Sequence, residues 1–578
     1  MKIAQLFRFP IKGLPGEAID AGAVSVGSGI RGDRSIAFTN GTVEVLDGQW
    51  GSCHSFTILK NNKNLQKWSV ESNPPFITVA APDQVNASSL TFDSSTPDGV
   101  AELGAYLSAH LPTQGAIERR AVSMPKGMFD SQRSGISIIN PRTVERLSVA
   151  GQIEMDPRRY RGNILVEGLP AFAEFGLIGK VIRIGEARIA ITKSIERCSA
   201  TSVNPETTEV DINGPRLLAT HFGHLHCGIY GTVLEPGTLE VGDEIKIEMP
   251  SEDISNLVPA KRSPRYATVQ KTTKVSSDLV EITLSDTFGW FKEHDEAGTY
   301  LRVHFSDPAW RNYTVTAVDE QNVTIAVRIQ GAVSAKLSQL EPGEQLLISG
   351  PYGSVTAAKV LRECTALVSA GIGITPVLGL LRDHEAAAQV QDLRLVHVER
   401  GAPNALFSEA RALAGRGNAA PTVQYFDSTV ARPNPEDIGR VVAGCDSVVI
   451  CGPQSFTQMA QEICRAEGIE PQNIHCEAFV SPHKDFSELF QDFAKEEINC
   501  FDSGKHFEWQ PEQGVLLDAL QAQGIDAPSS CQAGSCGQCA VKLLKGSVSY
   551  PMEPSATIPD GHVLTCVAVP RENVELDI

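Results

Sequence analysis

From Met1 to about Met249, apolar residues come in short runs closed by glycine or proline, as in "AGAVSVGSG", "FITVAAP" and "GNILVEG". Runs of this length with such boundaries predict β-strands. The stretch "GKVIRIGEARIAITKS" alternates apolar and polar positions, which predicts half-buried strands. "ELGAYLSAHL" predicts one helix, and "YGTVLEPGTLEVGDEIKI" closes the region as a folded sheet that turns at Pro236–Gly237. A polar, proline-marked segment, "PSEDISNLVPAKRSPR", predicts a linker over 250–264. Strand signals resume with "YATVQKTTKVSSDLVEITL" and last to about Gly353. The period then changes. "CTALVSAG" reads as a buried strand, "PVLGLLRDHEAAAQ" as a helix, "LRLVHVER" as a strand, "ALFSEARALAG" as a helix and "SVVICGP" as a strand. That alternation predicts a parallel sheet covered by helices. "SPHKDFSELFQDFAKEE" predicts a polar helical connector over 481–497, ahead of a last domain at 498–578.

Composition narrows this picture. At 578 residues the chain exceeds one hydrophobic core, so several domains are expected. A formal charge of −19 argues against nucleic-acid or anionic-membrane partners. No apolar run reaches the roughly 18–20 residues of a membrane helix, and "MKIAQLFRFPIKGLPG" reads as an edge strand and turn rather than a signal peptide. The thirteen cysteines are scattered and odd in number, so a cytoplasmic, reducing location is expected.

Three of those cysteines crowd into "SSCQAGSCGQCAVKLLKG": Cys531, Cys536 and Cys539, with Cys566 following in "GHVLTCVAV". The reducing location disfavours a disulfide knot. A four-cysteine zinc site competes, but zinc usually takes its ligands as two close pairs. The spacing C-x4-C-x2-C plus one distant cysteine is that of a plant-type [2Fe–2S] cluster, held in a loop whose glycines let amides approach the sulfides. The region, with its preceding "GVLLDALQAQGI" helix, resembles plant-type ferredoxins, which implies a β-grasp domain.

A cluster needs an electron source. In "WRNYTVTAV", Arg311 and Tyr313 share one strand face and Thr314 takes the other. An arginine can neutralise a flavin phosphate and an aromatic ring can pack on isoalloxazine, while a hydroxyl meets its polar edge. Gly331 and Ser334 in "GAVSAKL" stand at a predicted helix start. "VSAGIGITPVLGLL" then places Gly371, Ile372 and Gly373 between a strand and a helix opened by Pro376, the setting in which such glycines serve a dinucleotide. "VVICGPQSF" and "IHCEAFV" follow, with Cys451, Gly452 and Glu477.

Together these strings resemble the ferredoxin-NADP reductase superfamily, and the fused order resembles the reductases that feed Rieske oxygenases. The resemblance implies a flavin-binding β-barrel at 265–355 and an α/β nucleotide-binding domain at 356–480. Arg311, Tyr313, Thr314 and Ser334 would hold the flavin. Gly371, Ile372, Gly373, Pro376 and Gly452 would line the nucleotide site, with Cys451 and Glu477 at the hydride-transfer point. "SGPYGSV" favours FAD, FMN being the alternative. Glu399 and Asp427 favour NADH, whereas Arg400 and Arg432 favour NADPH; NADH is expected on balance.

In the first 250 residues, Cys198 in "KSIERCSATSVNPETTEVD" follows a strand beside Arg197, a neighbour that would favour its thiolate. A lone cysteine of this kind also fits as a buried spacer. "LFRFPIKGLPG", "GIRGDRSIAF", "DPRRYRGNILVEG" and "RCSATSVNPET" resemble the MOSC family, molybdenum cofactor sulfurase C-terminal-like proteins that include the amidoxime-reducing proteins. The resemblance implies a β-rich N-terminal barrel at 1–90 and a MOSC core at 91–249. It makes Cys198 the molybdenum-ligating thiolate, with Lys12, Arg31, Arg34, Arg161 and Asn163 holding the pterin phosphate. Two positions depart from the family: Asn204 stands where aspartate is common and Thr208 where glycine is. A zinc site from His221, His224, His226 and Cys227 is conceivable but crowded.

The expected activity is an NAD(P)H-dependent oxidoreductase of a small molecule, passing electrons through flavin and [2Fe–2S] to molybdenum, where an oxygenated, N-hydroxylated substrate is reduced. The alternative is a reductase serving a separate oxygenase, with the MOSC region in another role.

Overall fold

The computed structural model describes the chain except residues 83–88, 113–114, 259–262, 286–297, 306–309, 320–321, 354, 384–386, 416–420, 479–492, 526, 530–531, 533, 535–536, 552–553, 555 and 557. The chain divides into two compact units, Met1–Pro259 with Lys484–Ile578, and Ala260–His483.

The first unit is built on an eight-stranded sheet in the order Ile245–Glu248, Val181–Ile184, Ala187–Glu196, His226–Glu235, Ile136–Ile139, Ile164–Glu167, Lys2–Arg8, Glu17–Ile19. The two opening strands thus complete a sheet made mostly by residues 136–248, and the regions expected as 1–90 and 91–249 share it. The "VIRIGEARIAI" alternation becomes an antiparallel hairpin, with Val181 opposite Ala190 and Ile184 opposite Ala187. The predicted helix is Pro97–His110. Thr96 caps it by accepting from the Gly99 amide, and Leu103 and Leu107 bury its apolar stripe.

The segment expected as a linker is partly packed. Ile254 and Val258 are buried, and Arg133 donates to the Asn256 carbonyl (3.2 Å). Its apolar residues outweigh its polar look, and residues 259–262 lie outside the described chain. Most of the expected connector, 481–492, also lies outside it. The last domain begins at the strand Glu496–Cys500, inside the range read as connector. It forms a five-stranded sheet with Lys505–Trp509, Val574–Leu576, Ala540–Lys545 and His562–Leu564, on which the helix Leu516–Ala522 packs through Leu516, Leu517 and Leu520.

The second unit opens with a closed barrel of six strands: Arg265–Lys274, Leu279–Ser285, Asn322–Arg328, Trp310–Val318, Tyr300–His304 and Gln345–Tyr352. A parallel sheet follows in the order Thr422–Asp427, Asp392–Glu399, Cys364–Ala370, Ser447–Gly452, Ile474–Ala478. The order in which strands are added reverses beside Cys364–Ala370, all of them remaining parallel, and such switch points open a crevice at the strands' carboxyl ends. Among the described residues no helix is long and apolar enough to cross a membrane.

Candidate functional sites

At the C-terminal loop, Cys539 and Cys566 are buried and their sulfurs lie 3.0 Å apart. The Thr565 amide donates to the Cys539 carbonyl (3.2 Å), and the Gly534 amide donates to Cys566 Sγ (3.3 Å). Gly534 has φ +69, a conformation open to glycine at no cost, and a Cβ there would come within 3.1 Å of Pro554 Cα. Two buried converging sulfurs with an amide aimed at one of them suit an iron–sulfur cluster. The other two expected ligands, Cys531 and Cys536, lie outside the described residues.

In the barrel, a cavity of about 510 Å3 brings together Arg311, Tyr313, Thr314 and Ser334, with Ile372 and Thr375 from the nucleotide domain. Burial pushes the Tyr313 hydroxyl up to about 12, against the pull of Arg311, and Thr375 donates to Thr314 Oγ1 (3.0 Å). Ser334 is largely committed to its own helix start, where its Oγ accepts from the Gln330 and Gly331 amides (2.9 and 3.1 Å). Arg328 lines the same cavity and escaped the sequence reading. It pairs with Glu399 (3.1 Å), and a Cβ on Gly371 would lie 3.8 Å from its Nη1.

The glycine turn forms as expected, with Gly371 at φ +57 ahead of the helix Ile374–Arg382. Gly373, however, is required by the protein itself: a Cβ there would lie 2.3 Å from the Cys451 carbonyl oxygen. Pro376 is buried in the first helical turn, where its missing N–H costs nothing, and it does not line the cavity. Gly452 follows Cys451 at its strand's end, where a Cβ would meet Phe456 (2.8 Å). Cys451 and Glu477 sit side by side on adjacent parallel strands. Burial, then the Glu477 charge, hold the Cys451 thiol far above its usual range, so it stays protonated.

The carboxylates expected to choose the nucleotide are occupied. Glu399 accepts from Arg328 and Asn404 (3.1 and 2.6 Å), and Asp427 Oδ1 accepts from the Gly401 and Thr429 amides (2.9 and 2.8 Å).

The MOSC region holds a cavity of about 370 Å3 whose wall includes Cys198, Lys12, Arg34, Arg161 and Asn163. Arg31 is not on that wall; it is exposed on the far side of the Gly32 turn (φ +81). Asn163 spends its amide internally, accepting from Ser137 (2.8 Å) and donating to the Phe7 carbonyl (3.3 Å). Arg34 and Arg161 both stack on Phe9, with guanidinium carbons 4.6 and 4.5 Å from the ring centre. Burial, then the like charge of Arg34, lower Arg161 from 12.5 to about 9. Lys12 pairs with Asp130, an exposed carboxyl that, against partial desolvation, the charges of Lys12, Arg34 and Arg161 hold below its usual range. Lys60 and Arg159, which the sequence did not single out, add to the wall. Six cations line the wall, but Lys12, Arg34 and Arg159 are paired with Asp130, Asp33 and Asp211, so the surplus comes from Lys60, Arg161 and Arg197 against Glu196. Such a surplus attracts an anion.

Burial outweighs Arg197 at Cys198: the arginine's charge favours the thiolate as expected, but only as a minor contribution. Its guanidinium turns to the Cys227 carbonyl (Nε 2.7 Å) and the Tyr160 carbonyl (3.0 Å), and burial pushes the Cys198 thiol up. Successive residues on extended backbone point to opposite sides. Two of the three histidines are built into the fold: His226 Nδ1 bonds Ser194 Oγ (2.9 Å), and His224 lies edge-on to Phe172 and Phe175. Among the described residues no three histidine, cysteine or acidic side chains form a metal-binding group. Thr208 has φ +64, the conformation glycine takes freely, so the departure from the family keeps its backbone shape at a cost of about 1 kcal/mol.

One further residue lines this cavity. Gln538, between Cys536 and Cys539 of the cluster loop, reaches the same wall as Cys198. Nearby, Gln532 accepts from Asn213 Nδ2, and Arg216 pairs with Asp518 (2.9 Å).

A flavin barrel joined to a parallel nucleotide sheet, with a cysteine-ligated ferredoxin loop, defines an electron-transfer oxidoreductase. The oxidoreductase FAD-binding domain matches residues 267–356, the 2Fe-2S iron-sulfur cluster binding domain matches 498–571, and the MOSC domain matches 128–246. The heme-dependent oxidative N-demethylase beta subunit of Ectopseudomonas mendocina is 30% identical over 50% of this chain and 88% of its own. The ferredoxin reductase component of 3-ketosteroid-9-alpha-monooxygenase from Mycobacterium tuberculosis is 30% identical over 44% of this chain and 75% of its own. The phthalate 4,5-dioxygenase reductase subunit of Pseudomonas putida is 25% identical over 52% and 93%. The chain belongs to this family of NAD(P)H- and FAD-dependent iron–sulfur oxidoreductases, and it carries a MOSC domain in addition.

Proposed function

We propose that the chain sends electrons from a nicotinamide nucleotide to a compound bound in its own MOSC cavity, in a cytoplasmic setting that keeps its thiols reduced. One observation carries this reading: Gln538, from the loop that holds the cluster cysteines, lines the cavity that Cys198 lines. A thiol at the wall beside a surplus of cations suits a molybdenum cofactor, with Cys198 as the soft ligand and Lys12, Arg34 and Arg161 toward its phosphate. That group would supply two-electron reduction of an N-hydroxylated compound to the parent compound and water, which consumes one NAD(P)H and one proton. FAD in the barrel would take a hydride's two electrons and release them singly, as a cluster requires. The protein's part is to place these sites and to keep Cys451 protonated.

The relatives favour a second reading, since their names describe components that serve monooxygenases or dioxygenases as reductases. In that case the ferredoxin domain would deliver to a separate oxygenase. Purified chain given NAD(P)H and an N-hydroxylated substrate distinguishes the two. Turnover without another protein, lost in Cys198→Ala while ferricyanide reduction persists, supports delivery to the MOSC cavity. Turnover unchanged in the variant would exclude that reading.

A further inference from the structure

Residues of the ferredoxin domain meet the MOSC region at three described points: Arg216 with Asp518, Asn213 with Gln532, and Gln538 on the cavity wall. Each is tied to a functional element. Gln532 follows Cys531 directly, and Gln538 lies between two cluster cysteines. Asp518 sits on the helix Leu516–Ala522, whose Leu517 amide donates to the Thr565 carbonyl (2.9 Å), next to Cys566. On the MOSC side, Asn213 caps the short helix Gly214–Leu217 by accepting from the Arg216 amide (3.0 Å). The Gly214 amide donates to Ser202 Oγ (3.1 Å), in the turn that Cys198 opens. The contact therefore joins the cluster loop to the Cys198 loop through two short chains of bonds.

We propose that the segment Asn213–Arg216 is a docking cradle for the chain's own ferredoxin domain, and that docking withholds the cluster loop from outside electron acceptors. This rests on the reading of the MOSC cavity as the electron destination and adds how the chain enforces it. Of the described residues in the loop that would face an external partner, Gln532 is half-buried and bonded to Asn213, and Gln538, though exposed, lines the Cys198 cavity. The Arg216–Asp518 pair, with side chains 29% and 33% exposed, holds that arrangement through a charge contact of modest strength. A contact of this strength is reversible. Weakening it shifts the docked population several-fold without unfolding either part.

Reduction of cytochrome c, a large, basic, one-electron acceptor, reads the undocked population. Asp518→Asn is the informative variant because two effects on it have opposite signs. Removing an acid from the ferredoxin surface would slow encounter with a basic acceptor, whereas undocking speeds it. We expect roughly a three- to fivefold faster cytochrome c reduction in Asp518→Asn and in Arg216→Gln at fixed ionic strength. Ferricyanide reduction should be unchanged in both. A second readout is a carbodiimide cross-link between position 216 and Asp518 in an Arg216→Lys variant, located by peptide mass mapping. An unchanged or slower cytochrome c rate in Asp518→Asn, or the absence of that cross-link, would overturn the proposal. Neither measurement requires turnover of an N-hydroxylated substrate, so a failed docking idea and a failed assignment of the MOSC cavity give different results.

Discussion

Arg161 is the most exacting test of the cavity as an anion site. It is half-buried beside a second guanidinium on the same phenyl ring, and its pKa falls from 12.5 to about 9. A depression of that size corresponds to about 5 kcal/mol that disfavours the charged form in the folded chain. The sign follows from proton binding. Between about pH 9 and 12.5 the unfolded chain holds more protons at this group than the folded one, so stability rises with pH in that window. Below pH 9 the full penalty is present, and a bound dianion would relieve it.

Arg161→Gln removes the penalty but also the stack on Phe9 and the bond to the Leu14 carbonyl (2.6 Å), together worth about 2–3 kcal/mol. Without ligand at pH 7.5 the variant should be more stable than the wild type, by about 2 kcal/mol. Inorganic phosphate should raise the urea midpoint of the wild type at pH 7.5, lose that effect above pH 9, and do nothing to the variant. A variant strongly destabilised without phosphate, yet still protected by it, would refute the argument.

Three other outcomes are expected. Cys566→Ser should abolish or strongly alter the visible and paramagnetic signals of the cluster while leaving flavin bound; an unchanged spectrum on reduction would remove Cys566 from the ligand set. Gly373→Ala places a Cβ 2.3 Å from the Cys451 carbonyl, so the glycine turn and the strand end carrying Cys451 must part by roughly 1 Å or more; about 1–3 kcal/mol of stability and much of the nucleotide affinity should be lost, and a normal KM for NAD(P)H would contradict this. Glu399 is held at about 2 by His397 and Arg328 although burial alone would raise it; its contribution, about 3 kcal/mol, is present above pH 4.5 and lost as pH falls toward 2, so Glu399→Gln should flatten the loss of stability across that range in acid titrations.

What was legible in the chain were features whose meaning is local. The cysteine spacing, the strand–glycine–helix turn at Cys364–Arg382 and the R-x-Y-T strand all carry their geometry within a few residues. What was not legible depends on distant partners. Arg31 and Arg34 look alike in "GIRGDR", but a left-handed Gly32 turns one to solvent and the other onto Phe9. In "DPRRYRGN", Arg159 is the fully buried arginine, paired with Asp211 (2.6 Å), and no periodicity marks it. Lys60 reaches the cavity from a loop far from Cys198 in sequence. The sharing of one sheet by Lys2–Arg8 and Ile164–Glu167 requires a non-sequential strand order that alternation cannot reveal. Gln532 and Gln538 read as filler between cysteines until the MOSC region is placed beside them.

The central claim is that electrons leaving the cluster go to the cavity that Cys198 lines. Its most direct test is a single-turnover experiment on chain produced in a host that makes molybdenum cofactor, with metal content measured on the same sample. The chain is reduced by one equivalent of NAD(P)H without oxygen, then mixed with an N-hydroxylated compound while the cluster absorbance is followed. The account predicts substrate-dependent reoxidation of the cluster in the wild type and none in Cys198→Ala, with stoichiometric molybdenum in the wild type alone. A cluster that stays reduced in both, or reoxidises equally in both, would contradict it.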